Sequence, residues 1–359
     1  MDLESRDAGL ASELVFGCLR YSAQLDFLID HYAGRPAKTE PGLRVAMWMG
    51  IYQLRYLDRI PRHAAVDESV ELAKRGGKRF AAGFVNAVLR KVTRAEVSFG
   101  SKSVELCCPQ WILDRWTNQY GAEAAEKIAL AALKQPETWV RFVQPLHPLP
   151  NLEPAEVPGS WRLAGGSVPP GARIQDIGSQ SIVPLLDLKE GETFLDVCAA
   201  PGGKTLQAME AGVKAIAADI NPERLLAVRG CPRVALDASR ELPFSTTFDA
   251  ILVDAPCSGT GTLDRNPEIK LRLEPGNIKE LHSLQVAILN RALDKLAPAG
   301  RLVYSTCSLE KEENQDVVAE VLATRGQFRM VKEMTRLPGR DLGDGFYAAV
   351  LTSEHPVNG

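Results

Sequence analysis

The chain has little of what several common function classes require. None of its apolar runs approaches the roughly 20 residues of a membrane-spanning helix, and the acidic start Met1-Asp2-Leu3-Glu4 is unlike a signal peptide. Its seven cysteines, an odd number with no CxxC pair, suit neither a disulfide framework nor a zinc site, and its five histidines are scattered. No metal is expected, and a reducing cytoplasm is the simplest home. The GxGxxG turn of dinucleotide enzymes is absent. A Walker A loop would need glycine five positions before Gly203, where Cys198 stands. Hydride transfer and ATP hydrolysis therefore lose support. The chain carries no internal repeat and no low-complexity tract.

What is present is an ordinary soluble composition, 45% apolar and 24% charged over 359 residues, with room for two domains. The net charge of −3 hides a gradient. Residues 1–135 carry 19 Lys and Arg against 16 Asp and Glu, and the remainder 23 against 29. The excess gathers between Arg55 and Lys102, where eleven bases face five acids. Such a run is either a solvated helical surface or a phosphate-contacting patch for RNA.

Residues 8–135 read as helical, with apolar positions three and four apart in 10–19, 25–32, 43–56, 64–73, 81–92 and 111–120. Prolines then crowd 136–170 around one strand-like run, Trp139–Val143, so 135–177 reads as a connector or a minimal extra subdomain. From Gly178 strands and helices alternate. Strands are expected at 193–197, 214–219, 234–237, 248–254, 301–305, 328–332 and 346–352; helices at 181–188, 204–211, 222–229, 277–296 and 312–324. That order predicts an α/β fold with a mostly parallel, doubly wound sheet over 178–359, behind an all-α domain over 1–134.

The first strand of that sheet runs into the turn Cys198-Ala199-Ala200-Pro201-Gly202-Gly203-Lys204, whose small residues let backbone N–H groups approach a ligand. Asp219, Asp237 and Asp254 end the next three strands. One aspartate after a strand is ordinarily a turn cap. Three on the carboxyl rim, where open α/β sheets bind ligands, suit ribose hydroxyls and an adenine amino group. A nucleoside cofactor without a phosphate tail is S-adenosyl-L-methionine.

Cys257 in Asp254-Ala255-Pro256-Cys257 and Cys307 in Ser305-Thr306-Cys307-Ser308 follow strands on the same rim. A lone cysteine there is usually a small buried hydrophobe, but these have short polar flanks, unlike Cys18, Cys107, Cys108 and Cys231. A thiol has a use in methyl transfer to cytosine. C5 is too electron-poor to attack a sulfonium until a thiolate adds to C6. Asp254 is placed to assist at N3, and a cation such as Lys204 to favour the thiolate. The residues alone do not rank the two thiols.

These motifs, with Gln175-Asp176-Ile177-Gly178-Ser179-Gln180, Glu312-Glu313-Asn314 and Asp344-Gly345-Phe346, resemble the bacterial RNA cytosine-C5 methyltransferase family, and within it the Sun/Fmu group acting on 16S rRNA. Ala64–Lys74 and Gly83–Arg90 resemble the NusB-like RNA-binding domain fused to that group. The resemblance implies a Rossmann-like S-adenosylmethionine-dependent methyltransferase sheet, RNA as partner, Cys307 as nucleophile and Cys257 as the thiol that assists release. It implies a cofactor site of Cys198 to Lys204 with Asp219, Arg224, Asp237 and Asp254. Against that family pattern the N-terminal domain starts at its second helix, the connector is short, and so is the link from Asp219 to Asp237. The competing readings are a retired fold that only binds RNA, and a DNA methyltransferase attacking through Cys257. The sequence leaves the oligomeric state open and is compatible with a monomer.

Overall fold

The computed structural model describes residues 5–142 and 151–353; Val143, with Pro145, Pro148 and Pro150, lies outside them. The chain divides into two compact units, Met1–Lys134 with Leu263–Leu271, and Gln135–Thr262 with Arg272–Gly359. Among the described residues no helix is long and apolar enough to cross a membrane.

The first unit is helical: α1 (Ser5–Arg20), α2 (Ser22–Ala33), α3 (Pro41–Tyr56), α4 (Arg62–Arg75), α5 (Ala82–Lys91), α6 (Lys102–Glu105), α7 (Gln110–Tyr120) and α8 (Ala122–Ala131). Pro41 opens α3 because proline needs no N–H at the first helical position. Leu25, Leu28 and Ile29 of α2, Met47 and Ile51 of α3, and Val85 and Leu89 of α5 recur at helical spacing and are fully buried together. Segment Leu263–Leu271 joins these helices. The Arg20 Nε donates to the Asp264 carbonyl at 2.9 Å, and the buried Lys270 Nζ to the Arg20 carbonyl at 2.6 Å.

The second unit holds two sheets. The Pro-rich stretch is a four-stranded antiparallel sheet, ordered β2 (Leu152–Pro154), β3 (Ser160–Leu163), β1 (Thr138–Arg141) and β4 (Arg173–Ile174). Trp139 of β1 and Val157 of the link between β2 and β3 bury against Ile177. The stretch thus carries a small sheet of its own and belongs to the second unit.

The larger sheet has seven strands in the order β10 (Phe328–Arg336), β11 (Phe346–Ser353), β9 (Leu296–Thr306), β8 (Phe248–Asp254), β5 (Thr193–Asp196), β6 (Lys214–Asp219) and β7 (Arg233–Ala235). β7, β6, β5, β8 and β9 are parallel; β11 and β10 are antiparallel additions. Alternation along the strands makes two faces. Leu195, Ile251, Val253, Leu302, Tyr304 and Leu351 pack on α13 (Pro275–Leu293) and α14 (Gln315–Thr324). Phe194, Ala250, Leu252, Val303 and Val350 pack on the opposite side, against Ile182 and Leu186 and against Ala208 of α10 (Gly203–Met209). Chain order reverses between β5 and β8, so the loops after both open at the topological switch point.

Several elements differ from expectation. The helix expected at 181–188 is a short 3-10 turn, Val183–Leu186, with Pro184 inside it and Asp187 left-handed at its end. The helix expected at 222–229 stops at Leu225, and its last residues continue in tighter i→i+3 bonds. A 3-10 turn, Lys311–Glu313, precedes α14, and β10 runs on to Arg336.

Candidate active site

The turn after β5 is built on Asp196, which is 1% exposed. It accepts the Thr205 hydroxyl at 2.7 Å and the Cys198 N–H at 3.3 Å, tying the strand end to α10. Burial pushes its carboxyl up to about 7, against the Thr205 bond and with the Asp254 charge adding to the rise. Gly202 has φ +110°, and a Cβ there would meet the Val228 side chain at 2.8 Å, so the turn admits only glycine. Ala199 continues the strand, its N–H donating to the Ala218 carbonyl at 2.8 Å.

At the end of β6, Asp219 accepts the Ala200 N–H at 2.9 Å and the Asn221 N–H at 2.8 Å. Arg224 donates to the Ala200 carbonyl at 3.2 Å. Asp237 lies two residues beyond β7 and takes both the N–H and the hydroxyl of Ser239, which hold its carboxyl below the usual range. These local bonds are the capping role; each of the three side chains also faces a cavity.

That cavity, about 390 Å³, is lined by Cys198, Ala200, Asp219, Arg224, Asp237, Asp254, Cys257 and Cys307 together with apolar Leu284 and Ile288 of α13. Eight of the sequence-selected residues thus meet in one space. Ala199, Pro201, Gly202, Gly203 and Lys204 are not in its lining; they shape the turn or, for Lys204, act through a neighbour.

That neighbour is Asp254. The Lys204 Nζ lies 2.7 Å from Asp254 Oδ2 and 4.9 Å from the Phe346 ring centroid, with side chains 11% and 29% exposed for the ion pair. Burial works against the ammonium, but the Asp254 charge and hydrogen bond outweigh it and raise its hold on the proton; the Cys307 sulfur contributes in the same sense. The other Asp254 oxygen accepts the Ser305 hydroxyl at 2.8 Å.

The two sulfurs sit together, Cys257 Sγ 3.4 Å from Cys307 Sγ. The contact with Cys307, then burial, then the Cys307 and Glu313 charges push the Cys257 thiol well up. Cys198 is also raised, by burial and then by Asp196, Asp254 and Asp219, which keeps it a thiol. The loops carrying the pair interlock: the Gly261 N–H donates to the Cys307 carbonyl at 2.9 Å, and the Gly345 N–H to the Gly261 carbonyl at 2.8 Å. A Cβ on Gly261 would meet the Gly345 carbonyl at 2.4 Å, which explains glycines in both motifs.

Sequence reasoning did not select Asp196, Leu284, Ile288 or the buried Glu313 as site residues. The i, i+4 pair Leu284 and Ile288 reads as core from its spacing, and Glu313 stands out only within the Glu312-Glu313-Asn314 resemblance. The basic run of the helical unit is largely engaged. Arg55 donates to the carbonyls of Thr93 and Ala95, Arg62 to those of Arg90 and Val92, and Arg94 to those of Leu54 and Leu57. Lys74 and Arg75 pair with Glu71, Lys78 with Glu40, and Lys102 with Glu126. Among the described residues no cluster of His, Cys, Asp and Glu is placed to hold a metal.

Residues 183–352 match the family model for 16S rRNA methyltransferase RsmB/F, and residues 1–94 that of the NusB family. The chain is 34% identical to ribosomal RNA small subunit methyltransferase B of Yersinia enterocolitica, over 97% of this chain and 91% of that protein. Identity to the protein of the same name from Cronobacter sakazakii is 31%, over 97% and 91%. The solved structure of PH0851 is similar in fold, with a TM-score of 0.81 and 22% identity over 98% of this chain and 91% of that one.

Proposed function

The chain belongs to the 16S rRNA methyltransferase RsmB/F family, and on that premise we propose that it methylates C5 of a cytosine in 16S rRNA through a transient bond from Cys307 to C6. The single observation that carries this reading is the shared cavity, in which two thiols meet Asp219, Asp237 and Asp254. The cavity falls within the range of small-molecule pockets, about 300–1,000 Å³. Its lining fits S-adenosylmethionine: Asp219 and Asp237 offer carboxylate oxygens, and Leu284 and Ile288 apolar cover. When bound, that cofactor supplies a methyl carbon activated by a sulfonium.

The protein's own part is to make C5 a nucleophile. Cys307 adds to C6 as a thiolate, moving electron density toward C5 and N3. The Lys204–Asp254 pair offers a hydrogen-bonding partner where charge develops on the base. A cytosine must leave its stack to enter, so an unpaired or flipped base is required. After transfer, the C5 proton passes to water, its electron pair returns to the ring, and Cys307 is expelled as thiolate. Cys257, one sulfur contact away, assists that release.

The test uses a 16S rRNA transcript and labelled cofactor. Cys307→Ala abolishes methyl transfer and the adduct, whereas Cys257→Ala accumulates a protein–RNA species stable to SDS. Full activity in Cys307→Ala would overturn the assignment, and an adduct through Cys257 alone would favour the DNA-type arrangement.

A further inference from the structure

The thiols arrive on different strands, and the sequence offers no reason for one rather than the other to react. The structure places a single buried carboxylate behind both. Glu313 is 0% exposed. Its Oε1 accepts the Ser258 N–H at 2.8 Å and the Gln285 amide at 3.0 Å, and its Oε2 accepts the Ser308 hydroxyl at 2.5 Å and the Ser258 hydroxyl. Ser258 follows Cys257 and Ser308 follows Cys307 in the chain. Gln285 also holds the Pro256 carbonyl at 2.8 Å, and the Tyr304 hydroxyl holds the Glu313 carbonyl at 2.6 Å. Four neutral donors hold the anion, and among the described residues no Lys, Arg or His pairs with it. A glutamine could not repeat this arrangement, since only one of its terminal atoms accepts.

We propose that Glu313 is a positioning residue: from behind both loops it sets the separation of the two thiols, and it makes them unequal because its charge faces Cys257. The charged and titratable groups around the pair divide accordingly. Glu313 and Tyr304 act on Cys257. The Lys204 ammonium, neutralised in part by Asp254, acts on Cys307. The pair therefore lies between a cation that acts on Cys307 and an anion that acts on Cys257, and the anion helps Cys257 hold its proton. The inference rests on the covalent reading of the site but concerns the free enzyme, so it can fail separately.

Iodoacetamide alkylation of the full chain, resolved by peptide mass mapping between pH 6 and 10, reads each thiol without RNA or cofactor. In the wild type Cys307 alkylates first at neutral pH. In Glu313→Gln, which removes the charge and one of the two accepting atoms, alkylation of Cys257 at a fixed pH rises about tenfold, a one-unit shift of its profile. An unchanged Cys257 profile in a folded Glu313→Gln protein would overturn the proposal. So would faster alkylation of Cys257 in the wild type, which needs no variant to fold. Methyl transfer surviving Cys307→Ala would sink the covalent reading and leave the alkylation order untouched.

Discussion

In the helical unit the arginines that reach inward end on main-chain carbonyls. Arg55 closes the loop at Thr93 and Ala95, Arg62 the end of α5, and Arg94 the end of α3. At the carboxyl rim of the sheet unit carboxylates instead gather N–H and O–H donors from the turns and loops around them: Asp196 at the turn after β5, Asp254 at Lys204 and Ser305, Glu313 at the loops of both thiols. The two sets follow from different backbone needs. Helix ends leave carbonyls without partners, which suits cations; strand-to-helix turns expose N–H groups, which suits anions. A tally of basic residues therefore overstates the surface available to phosphate. The carboxyl rim, by contrast, opens on the cavity that holds both thiols.

The sharpest way to break this comparison is to remove a charge from the rim. Lys204→Met leaves Asp254 beside the thiols without its cation. Methyl transfer should fall by about 10²-fold or more, the order expected for a lost proton-handling group. Folding stability should fall by about 1–3 kcal/mol, below the cost of splitting a fully buried pair because Asp254 is 29% exposed. Single-turnover kinetics and urea denaturation measure the two effects. Unchanged turnover would make the pair a purely structural one.

Gly202→Ala asks less of the chemistry and more of the turn. The left-handed backbone and the approach of Val228 should together cost about 2–3 kcal/mol. The KM for S-adenosylmethionine should rise more than kcat falls, because the displaced turn carries Cys198 and Ala200 into the cavity lining. A fall confined to kcat would show that the turn serves the thiols rather than the cofactor.

Much of this division was legible beforehand, and the reasons differ by element. The rim was readable because strand, small-residue turn and aspartate are contiguous in sequence, as in Leu195-Asp196-Val197-Cys198. The four-stranded sheet was not, because its strands are two to four residues long and β1 pairs with β3 and β4 across a proline-rich stretch. Helix α11 (Pro222–Leu225) is shorter than its sequence pattern suggests, because the pattern continues past the point where the backbone tightens. Glu313 was invisible as a site residue because its partners, Ser258 and Gln285, are 55 and 28 positions away. Side-chain convergence of that kind has no periodicity to betray it.

The smallest expected effect sharpens the helical side of the comparison. Arg55→Ala removes donors from the Thr93 and Ala95 carbonyls and from the Tyr32 hydroxyl. With water able to replace some of them, the cost should be about 1 kcal/mol, seen as faster amide exchange over 93–99. RNA affinity would then keep its salt dependence. If instead stability holds while the slope of log affinity against log salt drops by about one, Arg55 contacts a phosphate. The carbonyl bonds would in that case preorganise a cation for RNA, and the contrast between the units would narrow to the sign of the charge each one holds in place.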